Sequence, residues 1–459
     1  MLKLEDVVNI FDKESKKSFL PEVLLSGVSI DSRNIKQGEL FAAIEGKNCD
    51  GHDFLEEAFD KGAVAALVRE KKIKKFSMKK NFLLIPVSDV QTALQELALA
   101  YRNKFKGKVI AVTGSNGKTT TKDMIAHVLS AKFKVLKTEG TQNNYLGLPL
   151  TLLKLKEEHE TVVVELGANK SGEIYSLKEI AKPDVGVITN IGQSHLEFLK
   201  TKEGVLNLKW ELFSDGNHKV EKAFLNFDDE ALRNHAAFLK KEIIFFGTQK
   251  NSHYYANDIR LNAGRIEFLV NDKYKVSLDT IGRHNMYNAL AAWAVSVYFG
   301  IPEEDIQKAL ASFCFPPDRL EFKHIKNIFL INDSYNANPQ SVKAALAAMA
   351  SFKDACGKIA CLSDMRELGE DTDKLHYEIG LEAGRLGIDT VISFGQFSEF
   401  TIRGAEKGGV GCCVNVKDKD SALDWLVKNV KPKQIILFKG SRAVKMEGLC
   451  KCFINSYIT

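Results

Sequence analysis

The stretch KVIAVTGSNGKTTTKDM, residues 108–124, limits what this chain can fold into more than any other. A β-branched apolar run stops at Thr113-Gly114. The short turn Ser115-Asn116-Gly117-Lys118-Thr119-Thr120 follows, and TTTKDMIAHVLSAKF then continues with apolar residues at helical spacing. A buried strand, a glycine turn and a helix in that order make a cradle for phosphate. The glycines let backbone N–H groups point inward, and the helix start adds positive potential. Lys118 is placed to neutralise β/γ charge, and the Thr119 hydroxyl to ligate magnesium. The longer form of this motif has its first glycine where Val112 stands, so this is a shortened G-x-x-G-K-T variant beginning at Gly114. A plain turn is the competing reading. The strand and helix on either side favour the nucleotide loop.

Two neighbouring runs extend the picture. TVVVELGA and DVGVITNIG are β-branched segments that stop at polar residues or glycine, as strands buried on both faces of a parallel sheet do. Glu165 ends the first and His195 closes the turn after the second. A carboxylate beside a threonine hydroxyl and phosphate oxygens is a ligand set that magnesium prefers. A solvated strand end for Glu165, and a cap or loop histidine for His195, are the plainer alternatives.

The chain has 459 residues, more than one core usually organises, so two or three domains are expected. A formal charge of +5 with acids and lysines interspersed gives no case for nucleic acid, although a mild basic excess suits an anionic small substrate. The start, MLKLEDVVNIFDKESKK, is interrupted by acids and lacks the apolar centre of a secretory signal. The longest apolar stretch, ALAAWAVSVYFG, is about half of the ~20 residues a membrane span needs. A cytoplasmic chain without membrane insertion is therefore expected. Eight cysteines form no C-x-x-C pair and read as free thiols in a reducing compartment. Cys450 and Cys452, with no histidine nearby, make a poor metal site.

The expected fold class is α/β in three domains. Residues 1–88 mix the short apolar runs VLLSGVSIDSR, GELFAAIEG and AVAALVRE with turns, as a small N-terminal α/β domain does. DVQTALQELALAYRNKF has helical spacing and opens a central domain, 89–314, built on a mainly parallel sheet around the phosphate loop. The prolines in FCFPPDRLEF mark a second boundary. Beyond it NIFLINDS, KIACLSD, DTVISFG and QIILFKGS repeat the buried-strand pattern of a Rossmann-like C-terminal domain, 315–459.

The phosphate loop together with TQNNYLGLPLTLL, ELGANKSGEI, ITNIGQSHLEFL, RHNMYNALAA, INDSYNANPQS and LSDMRELGE resembles the Mur ligase family, from about Val28 to Met446. GLPLTLL, DSYNANP and DMRELG point within it to the branch that joins D-alanyl-D-alanine to UDP-N-acetylmuramoyl-tripeptide. The resemblance implies a UDP-sugar domain, a central ATPase domain and a C-terminal domain. It also implies a monomer that uses ATP to make an acyl phosphate, which the dipeptide amine then attacks. Phosphorylation is needed because a carboxylate repels nucleophiles and has no leaving group. The transferring phosphoryl spreads negative charge that loop amides, Lys118 and two magnesium ions can stabilise.

By the same resemblance Thr119 and Glu165 hold one magnesium and His195 serves the second. Lys209 in LNLKWELF takes up carbon dioxide as a carbamate; an ordinary surface lysine is the alternative. Asn285 and Asn288, one helical turn apart, lie beside adenine, with a capping asparagine the alternative for Asn285. Arg319 in PDRLEF reaches ATP phosphate from the C-terminal domain, although relatives often carry glycine where Asp318 stands. Asp333 lies near the ribose or simply starts a turn. Ser32, Arg33, Lys47 and His52 are candidates for uracil and diphosphate. Thr141, Asn143 and Asn144 are candidates for the muramoyl sugar and reacting carboxylate, and Asn336 and Asn338 for the dipeptide. The alternatives are a sister ligase adding the third stem residue, a folylpolyglutamate-type synthetase, a P-loop kinase or transport ATPase, and a non-catalytic ATP-binding scaffold. The string Asp-Asn-Pro-Arg, usual in the diamino-acid-adding sister, is absent here.

Overall fold

The computed structural model describes residues 2–11, 23–46, 48–75, 83–193, 196–262 and 264–458. Lys47 and His195 lie outside them. Three sheets follow one another along the chain. The first is all parallel, in the order β1-β2-β3-β4: β1 (Gly27–Ser29), β2 (Glu39–Ala42), β3 (Ala65–Arg69) and β4 (Leu83–Val87). The helix Val90–Lys104, started by Asp89 accepting from Thr92 N, leads into the second.

The second sheet has nine strands: β5 (Lys108–Thr113), β6 (Val135–Lys137), β7 (Thr161–Glu165), β8 (Val185–Ile188), β9 (Lys222–Asn226), β10 (Glu242–Gly247), β11 (Tyr254–Asn262), β12 (Arg265–Val270) and β13 (Tyr274–Leu278). They lie in the order β13-β12-β11-β10-β9-β8-β5-β7-β6. From β6 to β11 all pairings are parallel, and β12 and β13 close the sheet as an antiparallel meander. The chain winds from β5 to one side through β6 and β7, then returns past β5 to β8 on the other. β5 is therefore the point where strand order reverses, and the crevice beyond the carboxyl end of such a strand is where α/β sheets bind ligands.

Val109 to Val112 of β5 are wholly buried, each contributing roughly 1.5–3 kcal/mol if apolar and fully covered. One face of the sheet packs on the helices Lys118–Leu129 and His284–Tyr298, whose Trp293 fills the core. The other face joins a larger core that runs into both flanking domains.

The third sheet contains β14 (Glu321–Ile325), β15 (Ile328–Asn332), β16 (Gly357–Ser363), β17 (Thr390–Phe394), β18 (Cys412–Asn415) and β19 (Gln434–Lys439), in the order β14-β15-β19-β16-β17-β18. Only the β14–β15 pairing is antiparallel. All eight cysteines are free; Cys450 is buried and Cys452 exposed, so the two do not converge. Among the described residues no helix is long and apolar enough to cross a membrane.

Candidate active site

The phosphate loop has the backbone its glycines require. Gly114 (φ +140°) and Gly117 (φ +79°) both occupy the left-handed half of conformational space. A Cβ at Gly114 would meet Thr189 Oγ1 at 2.1 Å, and one at Gly117 would meet Asn288 Oδ1 at 2.4 Å. The helix Lys118–Leu129 begins directly after Gly117. With no phosphate present, Lys118 Nζ donates to the loop's own carbonyls, Gly114 O at 2.9 Å and Ser115 O at 3.1 Å. Desolvation lowers its pKa from the ordinary lysine value. The loop and its surroundings line a cleft of about 960 Å³ between the central and C-terminal domains.

Glu165 ends β7 in register with Val112 of β5, so its carboxyl emerges beside the loop. It is buried; Oε1 accepts from Asn143 Nδ2 at 2.7 Å, while Oε2 is buried without a hydrogen-bond partner. An orphaned carboxylate oxygen near a threonine hydroxyl suits a hard cation, and the donor set fits magnesium. The Thr119 hydroxyl accepts from Arg319 at 3.1 Å.

Lys209, on the helix Lys202–Trp210, is buried to 1% exposure. Among the described residues its Nζ has only a long contact to Ala168 O, 3.4 Å. Desolvation, reinforced by the Lys118 charge, lowers its pKa to about 7 against the pull of Glu211, Glu173 and Glu165. Lys209 is thus an amine that readily sheds its proton near neutrality, unlike the surface lysine of the alternative reading.

Asn285 and Asn288 line the cleft and brace it. Asn285 Nδ2 donates to Thr280 Oγ1 (3.0 Å) and Ile281 O (3.2 Å), Asn288 Nδ2 donates to Asn285 Oδ1 (3.0 Å), and Thr121 Oγ1 donates to Asn288 Oδ1 (3.1 Å). From the opposite wall Arg319 lies 3.9 Å over the Tyr335 ring. Asp318 before it adopts φ +61°, the conformation glycine would supply, and accepts from Asn332 Nδ2 at 2.8 Å. Asp333 pairs with the buried Lys439 and accepts from Leu320 N at 3.2 Å. Burial lowers the pKa of the nearby His284.

Thr141, Asn143, Asn144, Asn336 and Asn338 all line the cleft. Asn144 Oδ1 accepts from Leu146 N and Gly147 N, Asn336 Oδ1 accepts from Arg442 N at 3.2 Å, and Asn338 caps the helix Pro339–Ala350. The structure brings Ser115, Asn116 and Thr120 to the same cleft.

Ser32, Arg33 and His52 stand apart from it, in the first domain. Ser32 Oγ donates to Glu57 Oε2 at 2.8 Å. Arg33 grips Asp31 through Nε and NH2, both 2.9 Å, holding that carboxyl down to about 2. His52 is buried, with Nδ1 on Asp50 at 2.7 Å and Nε2 accepting from Arg69 N at 2.9 Å. Both ring nitrogens are spent on the fold, so His52 supports a loop instead of facing a diphosphate.

Other cleft residues escaped the sequence reading: Asn226, Asp228, His284, Tyr287, Tyr335 and Lys439. Asp228 follows the apolar strand KAFLN much as Glu165 ends TVVVE, a signal that was available. His284 and Tyr287 sit inside RHNMYNALAA, Tyr335 inside INDSYNANPQS and Lys439 inside QIILFKGS, stretches singled out for other residues.

Comparison with known proteins agrees with this geometry. Residues 24–102 match the model described as Mur ligase family, catalytic domain, residues 112–296 the Mur ligase middle domain, and residues 318–442 the Mur ligase, glutamate ligase domain. The UDP-N-acetylmuramoyl-tripeptide–D-alanyl-D-alanine ligase of Bacillus subtilis is 37% identical over 95% of this chain and 94% of its own. The Escherichia coli enzyme of that name is 34% identical over 94% of each. Among solved structures, MurF from Acinetobacter baumannii superposes with a TM-score of 0.87 at 29% identity over 98% of both chains. MurF ligase from Thermotoga maritima in complex with ADP gives 0.83 at 29%, over 95% of this chain and 99% of that one. A Mycobacterium tuberculosis folylpolyglutamate synthase, at 16% identity and 0.63, shares the fold alone. With matches to all three domain models and relatives above 30% identity along nearly its whole length, this chain belongs to the Mur ligase family.

Proposed function

We propose that the chain is an ATP-dependent ligase that joins D-alanyl-D-alanine to the terminal carboxylate of UDP-N-acetylmuramoyl-tripeptide, giving the pentapeptide precursor of peptidoglycan. The observation that carries this is one cleft shared by a phosphate loop and a second α/β domain, whose Arg319 touches the loop's Thr119. A kinase or transport ATPase has no need of that second wall. A ligase does, because it must present an amine to the activated acid within the same enclosure.

The γ-phosphoryl passes from ATP to the substrate carboxylate and ADP leaves. The dipeptide amine then adds to the acyl phosphate, loses a proton, and expels inorganic phosphate from a tetrahedral intermediate. Lys118 and Arg319 approach the transferring group from opposite walls and balance its charge. Lys118 would exchange its two carbonyls for phosphate oxygens. Asn285 and Asn288 fix the floor of the adenine end, and Asp333 the ribose end. Thr141, Asn143 and Asn144 face the acid, and Asn336 and Asn338 the dipeptide.

Thr119 and Glu165 would hold one magnesium, and Lys209 as a carbamate together with His195 a second. Magnesium held there would supply positive charge to offset that of the phosphates. A neutral Lys209 amine would add carbon dioxide and release one proton, becoming a carbamate anion that could face a metal. Burial of Lys209 supports this reading.

The UDP end is assigned to the first domain, with Ser32, Arg33 and Lys47 as its candidates. Free thiols and an ATP requirement suit the cytoplasm.

The test is phosphate release with ATP and magnesium in the presence of UDP-muramoyl-tripeptide and D-alanyl-D-alanine. Release that persists when either acceptor or dipeptide is omitted removes the assignment. Lys209→Ala should be partly rescued by short carboxylic acids, and no rescue would count against the carbamate.

A further inference from the structure

One amide of the phosphate loop is held from both sides. The Asn116 backbone belongs to the central domain: its N donates to Asn190 Oδ1 at 3.0 Å, and its O accepts from Thr189 Oγ1 at 2.6 Å and Asn190 Nδ2 at 2.9 Å. Its side chain belongs to the other wall. Oδ1 accepts from Asn338 Nδ2 at 2.8 Å, and Nδ2 donates to Gln340 Oε1 at 2.9 Å.

Gln340 does more than accept that bond. Its Oε1 fills the space beside Gly192, where an added Cβ would fall 1.8 Å away. The Gly192 backbone lies outside the left-handed region, and its N–H donates to Ser115 Oγ at 2.8 Å. The next atoms an added Cβ would meet are Gln340 Cδ at 2.9 Å and Asn116 Nδ2 at 3.5 Å. Gly192 is therefore needed for what docks on it, and the obstacle to a larger residue is Gln340 itself. Gln340 can act as a gauge because its base is stiff. It sits in the first turn of the helix Pro339–Ala350, fixed by proline and by the reciprocal Asn338–Ser341 capping bonds.

We propose that Gln340 is a positioning residue for ligation: seated at Gly192 and bonded to Asn116, it sets the register of the C-terminal domain, and of the dipeptide it carries, against the phosphate loop. The effect on turnover rests on the ligase reading above; the docking contact does not. Displacing reacting groups by about 1 Å is enough to cost orders of magnitude in rate.

A double-mutant cycle tests this on the full-length protein. Gln340→Ala should lower kcat about tenfold or more while the KM for UDP-muramoyl-tripeptide moves by less than about twofold, because that substrate is assigned to the first and central domains. Gly192→Ala should lower kcat too, by pushing the Gln340 amide off its seat and off Asn116. In Gly192→Ala/Gln340→Ala the clash is gone, so its kcat should match that of Gln340→Ala alone. Small-angle scattering with ATP analogue bound should show expanded particles for each single variant, and no further expansion for the double. Losses in kcat that multiply in the double variant, or a wild-type kcat in Gln340→Ala, would overturn the proposal. So would scattering profiles identical to wild type, even in a chain without ligase activity. A wild-type protein that shows no turnover while its variants expand as described speaks against the ligase reading and not against Gln340.

Discussion

Replacing Lys118 by methionine should change the stability of the protein by no more than about 2 kcal/mol while removing nearly all its activity. The structure bounds the first effect. Lys118 is largely enclosed, its charge is opposed by desolvation, and both its hydrogen-bond acceptors are neutral carbonyls. Exchanging a buried ion for an apolar side chain of similar volume typically ranges from neutral to about 1–4 kcal/mol stabilising. Losing two bonds to carbonyls that water in the cleft can reach takes back about 1 kcal/mol each. The balance is between about −2 and +2 kcal/mol. The second effect is the loss of a cation aimed at developing charge, about 2.7–4 kcal/mol, or 10²–10³-fold in kcat. Urea unfolding of the ligand-free protein gives the first number and phosphate release the second. ATP at about 100 times its Kd should add about 2.7 kcal/mol to the wild type and much less to the variant. Destabilisation beyond about 2 kcal/mol would refute the reasoning, as would a loss of less than about tenfold in kcat.

Gly117→Ala should weaken ATP binding at least tenfold by calorimetry. A non-glycine residue at φ +79° costs about 1–2 kcal/mol, and its Cβ would press on Asn288 Oδ1 at 2.4 Å; unchanged affinity would argue that the loop is plastic. Asp318→Gly should leave thermal stability nearly unaltered. Relief of a left-handed φ of +61° gains about 1 kcal/mol, and loss of the Asn332 bond costs about the same; a melting shift of more than a few degrees contradicts that balance. His376 is buried, donates from Nδ1 to Thr372 O at 2.8 Å and accepts at Nε2 from Met365 N at 3.0 Å; desolvation lowers its pKa. The unfolded chain therefore binds this proton more readily, so stability is full above about pH 6.5 and is lost as pH falls below it. His376→Gln should flatten that acid slope in urea titrations, and an identical slope would exclude His376 as its source.

The elements legible in the sequence share one property. Strands such as Val109–Val112 and Ile435–Phe438 are buried on both faces, so each reads as an unbroken apolar run whatever packs against it. The strands at 254–278 went unread for the opposite reason. Arg265 to Val270 alternates exposed and buried residues, a weaker signal, and β11 shifts register between Asn257 and Arg260. The phosphate loop was legible because its function is local, carried by consecutive residues. His52 was not. Its ring is satisfied by Asp50 two positions before it and by the backbone of Arg69, 17 positions away, and no local pattern announces the second partner. Gln340 is the extreme case: its significance depends on an atom that Gly192 lacks.

The cleft divides its polar groups in a way that follows from the task. Within the central domain it tolerates groups that folding alone would remove: an unpartnered Glu165 oxygen, and two desolvated lysines, Lys118 and Lys209. These hold their places because rigid elements fix them, Glu165 at the end of β7 and Lys209 on a helix capped by Thr201. Across the seam the contacts are of another kind. Asn116 meets Asn338 and Gln340 through neutral amides, and Arg319 meets a hydroxyl. A hydrogen bond exchanged for water is worth only about 0.5–1.5 kcal/mol between neutral groups and about 1.5–3 kcal/mol to a charged one, so these polar contacts add only a few kcal/mol to the apolar packing the domains share. A seam of buried ion pairs would resist opening far more strongly, since separating one member from its partner costs about 3–5 kcal/mol. An enzyme that admits three substrates and releases three products must open on every cycle. The weak polar contacts therefore leave the nucleotide's phosphates, whose charge acts on Lys118 and Arg319 from between the walls, to draw the cleft shut.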